Sequence, residues 1–303
     1  MSILFTIFPN QILSQIAQPS LRIHAKSAAL MDAISGQVLF AQNSQIRMAP
    51  PSFAKLLGLD NSQFKDPHGM PARDQFTTAS DLAILARRYI VDHSEGLAFH
   101  SLKEFEHQSI RQQNRNTLLG KNIGVDGLMT GYLKESGYHL VSAGKRDAQR
   151  MIAVVMGCDT LQKGAQETQK LLEYGFGNFS TVRAVKKSDP FGPEKVVRGK
   201  LNRVQIFPAE EGWVTVAKGK EDSISVISDL PEFITAPVQK GQGVGKLVIH
   251  GEGRVLKEIA LLSSSNVPEG IYLSWPLIGG GTLILTLVEM LLWLGRRAKR
   301  KRP

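Results

Sequence analysis

Short runs in which hydrophobic and small polar residues alternate predict several β-strands in the first part of the chain. Ser27–Ala33 (SAALMDA) and Val38–Gln42 (VLFAQ) are joined through Ser35-Gly36, which predicts a β-hairpin. Tyr138–Ala143 and Met151–Gly157 predict two more strands on either side of a short turn. Strands joined by such short connections favour antiparallel pairing.

Two segments repeat their hydrophobic residues with helical spacing. Thr78–Ile90 begins with a Thr78/Asp81 capping box and predicts an amphipathic helix. Its predicted buried face consists of Leu82, Leu85, Ala86 and Tyr89. Leu161–Tyr174 predicts a second helix, which we expect to end at Gly175.

These elements together predict an α+β domain over residues 25–180, with an antiparallel sheet covered by helices. Residues 181–195 contain Pro, Gly and Lys and are interpreted as a linker. Residues 196–265 then predict a small all-β domain. Its strand-like runs are VVRG, VQIF, WVTVA, ISVIS, KLVIH and Leu256–Leu262.

The C-terminal segment Ile271–Leu294 has 24 residues and one charge, enough to cross a hydrocarbon core of ~30 Å. The basic tail 295–303 follows at once, which favours a cytoplasmic C-terminus. The alternative is an amphipathic helix lying on the membrane surface, which Glu289 supports. Leu283–Leu294 is apolar on nearly all sides, so we favour a transmembrane helix.

The N-terminal residues 1–24 are interpreted as a degenerate signal segment. Met1–Ile16 is fairly apolar, yet no Lys or Arg precedes Arg22 and there is no Ala-x-Ala cleavage site. Export by this segment would place the globular part outside the membrane.

Amino-acid composition argues against a nucleic-acid partner and against a metal site. The content of 42% hydrophobic and 21% charged residues is typical of a globular protein. Half of the net charge of +10 lies in residues 271–303, so the charge does not favour a nucleic-acid partner. The single cysteine, Cys158, lies in an apolar run and is interpreted as a buried structural thiol. The seven histidines lack ligand-like spacing, so we expect no metal and no cofactor.

The stretch Val125–Val141 (VDGLMTGYLKESGYHLV) predicts a strand along which another molecule can lie. Gly131 removes a side chain that would block a close approach, and Thr130 offers a hydroxyl beside it. Met129 precedes both.

A second candidate site follows Pro50-Pro51, where Ser52 and Lys55 share one face of a short helical stretch. Ser52 is a candidate nucleophile and Lys55 a candidate base, because Ser-x-x-Lys brings an amine within reach of the hydroxyl proton. The structural alternative is that Ser52 is an N-cap and Lys55 a solvated helical residue.

Both stretches resemble motifs of the serine-type D-alanyl-D-alanine carboxypeptidases, the low-molecular-mass penicillin-binding proteins. Val125–Val141 resembles the third active-site motif, Lys-Thr-Gly, with Met129 at its first position. RMAPPS resembles the approach to the nucleophile, and DNSQFKDPHGMP is similar to a later loop. The resemblance covers about residues 25–265 and the predicted membrane segment Ile271–Leu294. It implies a penicillin-binding/β-lactamase-like transpeptidase fold.

The resemblance implies a function as well as a fold. Members of the family remove the terminal D-Ala from peptidoglycan stem peptides through an acyl-serine intermediate, and β-lactams acylate the same serine. Carried over, Ser52 is the nucleophile, Lys55 the general base, and Thr130 and Gly131 lie along the substrate strand. Met129 stands where a lysine would face the substrate carboxylate. The implied location is the bacterial cell membrane, with a single span and the globular part on the outer side.

The resemblance also indicates an internal deletion. The segment directly after Ser52 resembles a later part of the family, so most of the nucleophile helix and the second motif, Ser-x-Asn, are missing, and the transpeptidase fold is expected to be truncated. Lys55 can therefore also belong to that later part of the family's sequence. In that case it stands three residues after Ser52 only because the deletion brings the two parts together. The match Ser264-Ser265-Asn266 lies just before the membrane segment and is interpreted as linker.

The segment NRNTLL, which resembles a family segment leading toward the third motif, leaves two interpretations of its asparagines. Asn114 and Asn116 either line a groove or, as we favour, form turns.

Three functional hypotheses follow: a carboxypeptidase with a rearranged site, a membrane-anchored non-catalytic peptidoglycan-binding or scaffold protein, and the product of a decaying gene without a stable fold. A hydrogen bond to a charged group is worth roughly 1.5–3 kcal/mol, so replacing Lys by Met costs ~10- to 100-fold in rate. Loss of the second motif removes a further ~10²- to 10⁴-fold of proton-transfer assistance. We therefore adopt a degenerate carboxypeptidase with little or no activity as the leading hypothesis.

Overall fold

The structure is a computed structural model that describes residues 21–49, 59, 61–64 and 73–270. The described residues form two compact units. The first contains those up to Val185 together with Gly212–Val226 and Ile249–Lys257. The second contains Lys186–Glu211, Ile227–Val248 and the residues from Glu258 onward.

Most of the first unit is a five-stranded antiparallel sheet with helices. Its strands in chain order are β1 (Ser27–Asp32), β2 (Val38–Gln42), β5 (Val125–Leu133), β6 (Gly137–Arg146) and β7 (Gln149–Cys158). The spatial order is β2-β1-β7-β6-β5. The helices are α1 (Ala79–Asp92), α2 (Leu97–His100) and α3 (Leu161–Asn178). Two smaller ribbons pair β3 (Glu104–His107) with β4 (Ile110–Gln113), and β8 (Phe179–Val185) with β11 (Gly212–Ala217). The predicted hairpin, strands and α+β class are confirmed.

Side chains alternate between the two faces of the sheet, and a helix covers each face. Ala29 and Met31 of β1 point to one face and pack with α1, as Ile152, Val154 and Met156 of β7 do. Ala28 and Leu30 point to the other face and pack with α3, as Met151, Ala153 and Val155 do. We call these the α1 face and the α3 face.

The predicted N-terminus of α1 is confirmed, since the Thr78 side chain accepts a hydrogen bond from the Asp81 backbone N–H at 3.1 Å. Its predicted buried face is confirmed except at Tyr89, which is half-buried, while Ile90 packs into the core. The Tyr89 hydroxyl instead lies 3.0 Å from His100 Nε2, at the C-terminal end of α2.

The predicted end of α3 at Gly175 is wrong, because the helix continues to Asn178. A Cβ at Gly175 would lie 3.0 Å from Leu30 and 3.3 Å from Met151. Glycine is therefore required here by close helix–sheet packing rather than by a helix C-cap. Phe176, the next residue, is buried on the α3 face.

A six-stranded sheet, most of which belongs to the second unit, has the order β12-β14-β15-β10-β9-β13. Its strands are β9 (Phe191–Val197), β10 (Arg203–Pro208), β12 (Ser225–Asp229), β13 (Ile234–Thr235), β14 (Gly243–Gly251) and β15 (Arg254–Ser263). Each strand-like run predicted beyond residue 195 overlaps a strand. The linker predicted at 181–195 differs from the structure, because its ends belong to β8 and β9. Pairing of β8 with β11 orders the first of these ends.

Cys158 is 2% exposed and forms no disulfide, which confirms the buried structural thiol. Burial raises the pKa of its thiol to about 11, and the neighbouring Glu167 adds to this effect. No helix within the described ranges is long and apolar enough to cross a membrane. The segments 1–20 and 271–303, which contain most of the predicted signal and the whole predicted membrane span and basic tail, lie outside those ranges.

Candidate active site

Met129, Thr130 and Gly131 lie on β5, as predicted, at the edge of the five-stranded sheet in the part of the chain that the structure describes. Their partners on β6 are Val141, Leu140 and His139, in that order. An edge strand leaves one row of backbone N–H and C=O groups available, and an extended peptide can pair with such a row. The strand is therefore suited to hold a peptide.

The start of β5 has an irregular backbone. Gly127 has φ +108° and Leu128 has φ +140°, next to a register shift between Val125 and Gly127. A Cβ at Gly127 would lie 2.5 Å from the carbonyl oxygen of His100. The glycine thus permits α2 to pack directly on the strand just before Met129.

Met129 is half-buried and packs against the hydrophobic cluster of the α1 face, together with Leu128 and Val141. Alternation places the side chain of Thr130 on the opposite face, where its partner Leu140 contacts Ala165 of α3. The side chain at the first motif position is therefore part of an apolar surface. It supplies no charge to a ligand on the strand.

His139, directly opposite Gly131, is a candidate site residue that sequence reasoning missed. Its side chain is 2% exposed, and its Nε2 lies 2.8 Å from the hydroxyl of Ser136. Burial lowers the pKa of His139 to about 4, and the nearby Lys26 ammonium lowers it further. The ring is therefore neutral at physiological pH.

A row of paired residues crosses the α1 face at this end of the sheet. Ser27 pairs with Met156, Met156 with His139, and His139 with Gly131. The hydroxyl of Ser27 and Nδ1 of His139 are buried and have no hydrogen-bond partner among the described residues. The row thus ends, beside Gly131, in a buried nitrogen able to form one more hydrogen bond. The available signal was a histidine inside the apolar run GYHLV.

Asn114 and Asn116 form turns, as favoured. The Asn116 side chain accepts a hydrogen bond from the Leu118 N–H and donates one to the Ser142 hydroxyl. The Asn114 side chain accepts from the Asn116 N–H at 2.9 Å and donates to two backbone carbonyls. These side chains therefore hold the segment before β5 in place.

Of the remaining sequence predictions, the structure describes only the Ser-x-Asn match. Ser52 and Lys55 lie outside the described residues. The segment Ser264-Ser265-Asn266 follows β15 in the second unit, where the Asn266 side chain accepts a hydrogen bond from the Lys240 N–H at 2.7 Å. Its amide therefore supports a turn of that unit. No group of three metal-ligating side chains occurs within the described ranges.

Comparison with known families matches two segments of the chain. Residues 52–160 match the family described as D-alanyl-D-alanine carboxypeptidase. Residues 179–269 match the family described as penicillin-binding protein 5, C-terminal domain. The first match includes Met129, Thr130 and Gly131, and the second covers the sheet of the second unit.

Individual relatives agree with these matches. The chain is 37% identical over 244 residues to D-alanyl-D-alanine carboxypeptidase DacC of Escherichia coli, which covers 80% of this chain and 60% of the relative. It is 34% identical over 251 residues to DacA of Haemophilus influenzae, with 81% and 62% covered. The chain thus spans about three fifths of the length of these relatives. The solved structure of penicillin binding protein 5 from Haemophilus influenzae superposes with a TM-score of 0.77 at 26% identity, covering 84% of this chain and 100% of that one.

Proposed function

Because this chain belongs to the serine-type D-alanyl-D-alanine carboxypeptidase family, we propose that it binds peptidoglycan stem peptides ending in D-Ala-D-Ala along β5. We further propose that it removes the terminal D-Ala slowly or not at all. In this proposal Ser52 is the acylated nucleophile, Lys55 is its base, and β-lactams compete for the same serine.

The observation that carries this proposal is the position of Met129 on an edge strand with the family's motif. Pairing of the peptide with the β5 backbone would supply orientation and affinity. Thr130 and Gly131 would then lie beside the peptide. The thioether of Met129 packs on the α1 face and cannot form the ion pair with the substrate carboxylate that a lysine would form.

His139 does not replace the missing charge, although it lies opposite Gly131. Its lowered pKa, about 4, leaves it neutral at pH 7, so it offers at most a neutral hydrogen bond. Hydrogen bonds to neutral groups contribute about half as much as those to charged groups. We therefore expect weakened acylation, by about 10- to 100-fold from this position alone.

We also propose that the protein works at the outer side of the bacterial cell membrane, held by the apolar segment Ile271–Leu294 with its basic tail inside. Peptidoglycan lies on that side, so this topology brings the first unit and its proposed substrate into the same compartment.

The test is covalent labelling of the purified full-length protein with a fluorescent penicillin, followed by gel fluorescence. We expect weak, slow labelling of the unmodified protein and none of Ser52→Ala. We expect Met129→Lys to label about 10- to 100-fold faster, because an ammonium is restored beside the β-lactam carboxylate. A matched control is Tyr132→Lys, which introduces the same charge on the same strand at a side chain that is 57% exposed.

Two outcomes would contradict the proposal. Labelling of Ser52→Ala equal to that of the unmodified protein would remove Ser52 as the nucleophile. Fast labelling of the unmodified protein that Met129→Lys leaves unchanged would show that the enzyme is not impaired. If a folded sample and its Met129→Lys variant both fail to label yet a muropeptide still raises the melting temperature, the protein binds stem peptides without cleaving them.

A further inference from the structure

The turn between β9 and β10 has an unusual composition for an exposed loop. Residues 198–203 read RGKLNR, with Leu201 between cations and 51% exposed. Arg198, Lys200 and Arg203 are exposed as well. Single exposed apolar side chains are common on protein surfaces, so Leu201 is informative only together with the cations on either side of it.

This turn is bonded to the last described residues of the chain. The backbone N–H of Gly270 donates to the carbonyl of Arg198 at 2.8 Å, and the N–H of Lys200 donates to the carbonyl of Pro268 at 2.9 Å. Gly199 and Glu269 form a β-bridge between these bonds. Arg198 adopts φ +57°, a left-handed conformation that costs a non-glycine residue energy. The turn is therefore fixed beside the point where the apolar run Ile271–Leu294 begins.

Further cations lie around the same point. Lys195 on β9 pairs directly with Arg203 on β10, and like charges in such a position are destabilising. Lys240 is held nearby, since its N–H donates to Asn266. Neither Lys195, Arg203 nor Lys240 forms an ion pair with another described residue, and the one acid in the bridge is Glu269. The local excess of positive charge favours an anionic partner.

A second exposed apolar residue lies directly before the neighbouring strand β13. Phe233 is 46% exposed and directly precedes Ile234, which pairs with Val196 of β9. We define the exit surface as the exposed residues around Gly270, where the described part of the chain ends. They are Lys195, Arg198, Lys200, Leu201, Arg203, Phe233 and Lys240.

We propose that the exit surface lies on a bilayer that contains anionic lipids, with its cations on the phosphate headgroups and Leu201 in the interface. Lys and Arg side chains near an anionic membrane are attracted to its surface, and apolar side chains at the interface add hydrophobic stabilisation. The chain position supports a membrane over a soluble anion, because the turn is bonded to residues directly before a 24-residue apolar run. The contact would hold the second unit in a fixed orientation at the membrane. This inference rests on the proposed membrane location of the chain, but it does not depend on whether the first unit is an active carboxypeptidase.

The experiment uses the full-length chain in vesicles of phosphatidylcholine with or without phosphatidylglycerol. Leu201→Cys is labelled with an environment-sensitive dye, and lipids that carry a quencher report contact with the bilayer. The control is Ile227→Cys on β12, which is also exposed but lies at the other edge of the sheet, roughly 20 Å away at ~4.8 Å per strand. Cys158 is buried, so the unmodified protein gives the background labelling.

We expect severalfold stronger quenching at position 201 than at position 227 in phosphatidylglycerol vesicles, and less at position 201 in neutral vesicles. Adding Lys200→Glu to the labelled protein should lower the quenching at position 201. The matched charge control is Lys187→Glu, which lies before the opposite end of β9 and should have no effect.

Three results would overturn the proposal. Equal quenching at positions 201 and 227 would place the exit surface away from the bilayer. Quenching that is the same in neutral vesicles and insensitive to Lys200→Glu would exclude recognition of anionic lipid. Failure of the full-length protein to join the vesicles would remove the membrane contact altogether. Unchanged circular dichroism of each variant would show that none of these results comes from misfolding.

Discussion

His139 makes the stability of the first unit depend on pH through a single buried side chain. Its pKa is lowered from 6.5 to about 4 because burial disfavours the charged ring. A histidine with a lowered pKa binds its proton more readily in the unfolded state. Stability is therefore complete above about pH 6.5 and is lost as the pH falls toward 4, below which the loss stays constant.

The variant His139→Gln should remove most of this dependence. Between about pH 7.5 and 4.5, we expect the free energy of unfolding of the variant to fall by roughly 2–3 kcal/mol less than that of the unmodified protein. Urea unfolding at both pH values measures the difference. The control is His107→Gln on the exposed strand β3, which should keep the pH dependence. Identical pH profiles for His139→Gln and the unmodified protein would contradict the buried neutral histidine.

At the scale of secondary-structure elements, α3 contains two glycines whose surroundings differ. A Cβ at Gly175 would lie 3.0–3.3 Å from Leu30 and Met151, whereas a Cβ at Gly177 would meet nothing within 4 Å. Alanine is favoured over glycine in a helix by up to about 1 kcal/mol, less near a helix end. The helix therefore has one glycine required by packing and one that is not.

We expect Gly177→Ala to raise the free energy of unfolding by a few tenths of a kcal/mol up to about 1 kcal/mol. We expect Gly175→Ala to lower it by about 1 kcal/mol or more, because Leu30 and Met151 are held in a packed sheet and have to shift. Chemical denaturation of both variants provides the comparison. Equal stabilisation by both substitutions would show that the helix does not pack this closely on the sheet.

At the scale of the whole molecule, residues far apart in sequence share one buried polar cluster in the first unit. The Ser35 and Thr215 hydroxyls lie 2.7 Å apart, although 180 positions separate them. The Thr181 hydroxyl donates to the carboxylate of Asp32 at 2.8 Å and lies 3.2 Å from the Thr215 hydroxyl. The cluster fixes the β8–β11 ribbon to the turn after β1.

Thr215→Val keeps the shape of this fully buried side chain but removes its hydroxyl. We expect a loss of about 1–3 kcal/mol, because the Ser35 hydroxyl loses its buried partner. Thermal and urea unfolding of the full-length protein measure it. Thr235→Val, on the exposed part of β13, should change stability by less than about 0.5 kcal/mol. A neutral effect of Thr215→Val would mean that the ribbon is held by its apolar contacts alone.

Local patterns in the sequence determined most of the secondary structure and the family. The Thr78/Asp81 capping box, the hairpin and the strand with Met129 were predicted from neighbouring residues, because each depends on contacts a few positions apart. The predicted class of fold and the family resemblance, which rest on these local motifs, are confirmed. The roles of Ser52 and Lys55 stay predictions.

Tertiary structure alone decided the features that depend on distant partners. It placed Gly175 against the sheet rather than at a helix end, because the packing of α3 on Leu30 and Met151 cannot be read from the helix itself. Residues 181–185 of the predicted linker belong to strand β8, because they pair with β11. Tertiary structure also placed His139 beside Gly131 in a row with Ser27, since cross-strand register depends on the whole sheet. Periodicity fixes which face a residue lies on, but only the assembled sheet determines its neighbours there.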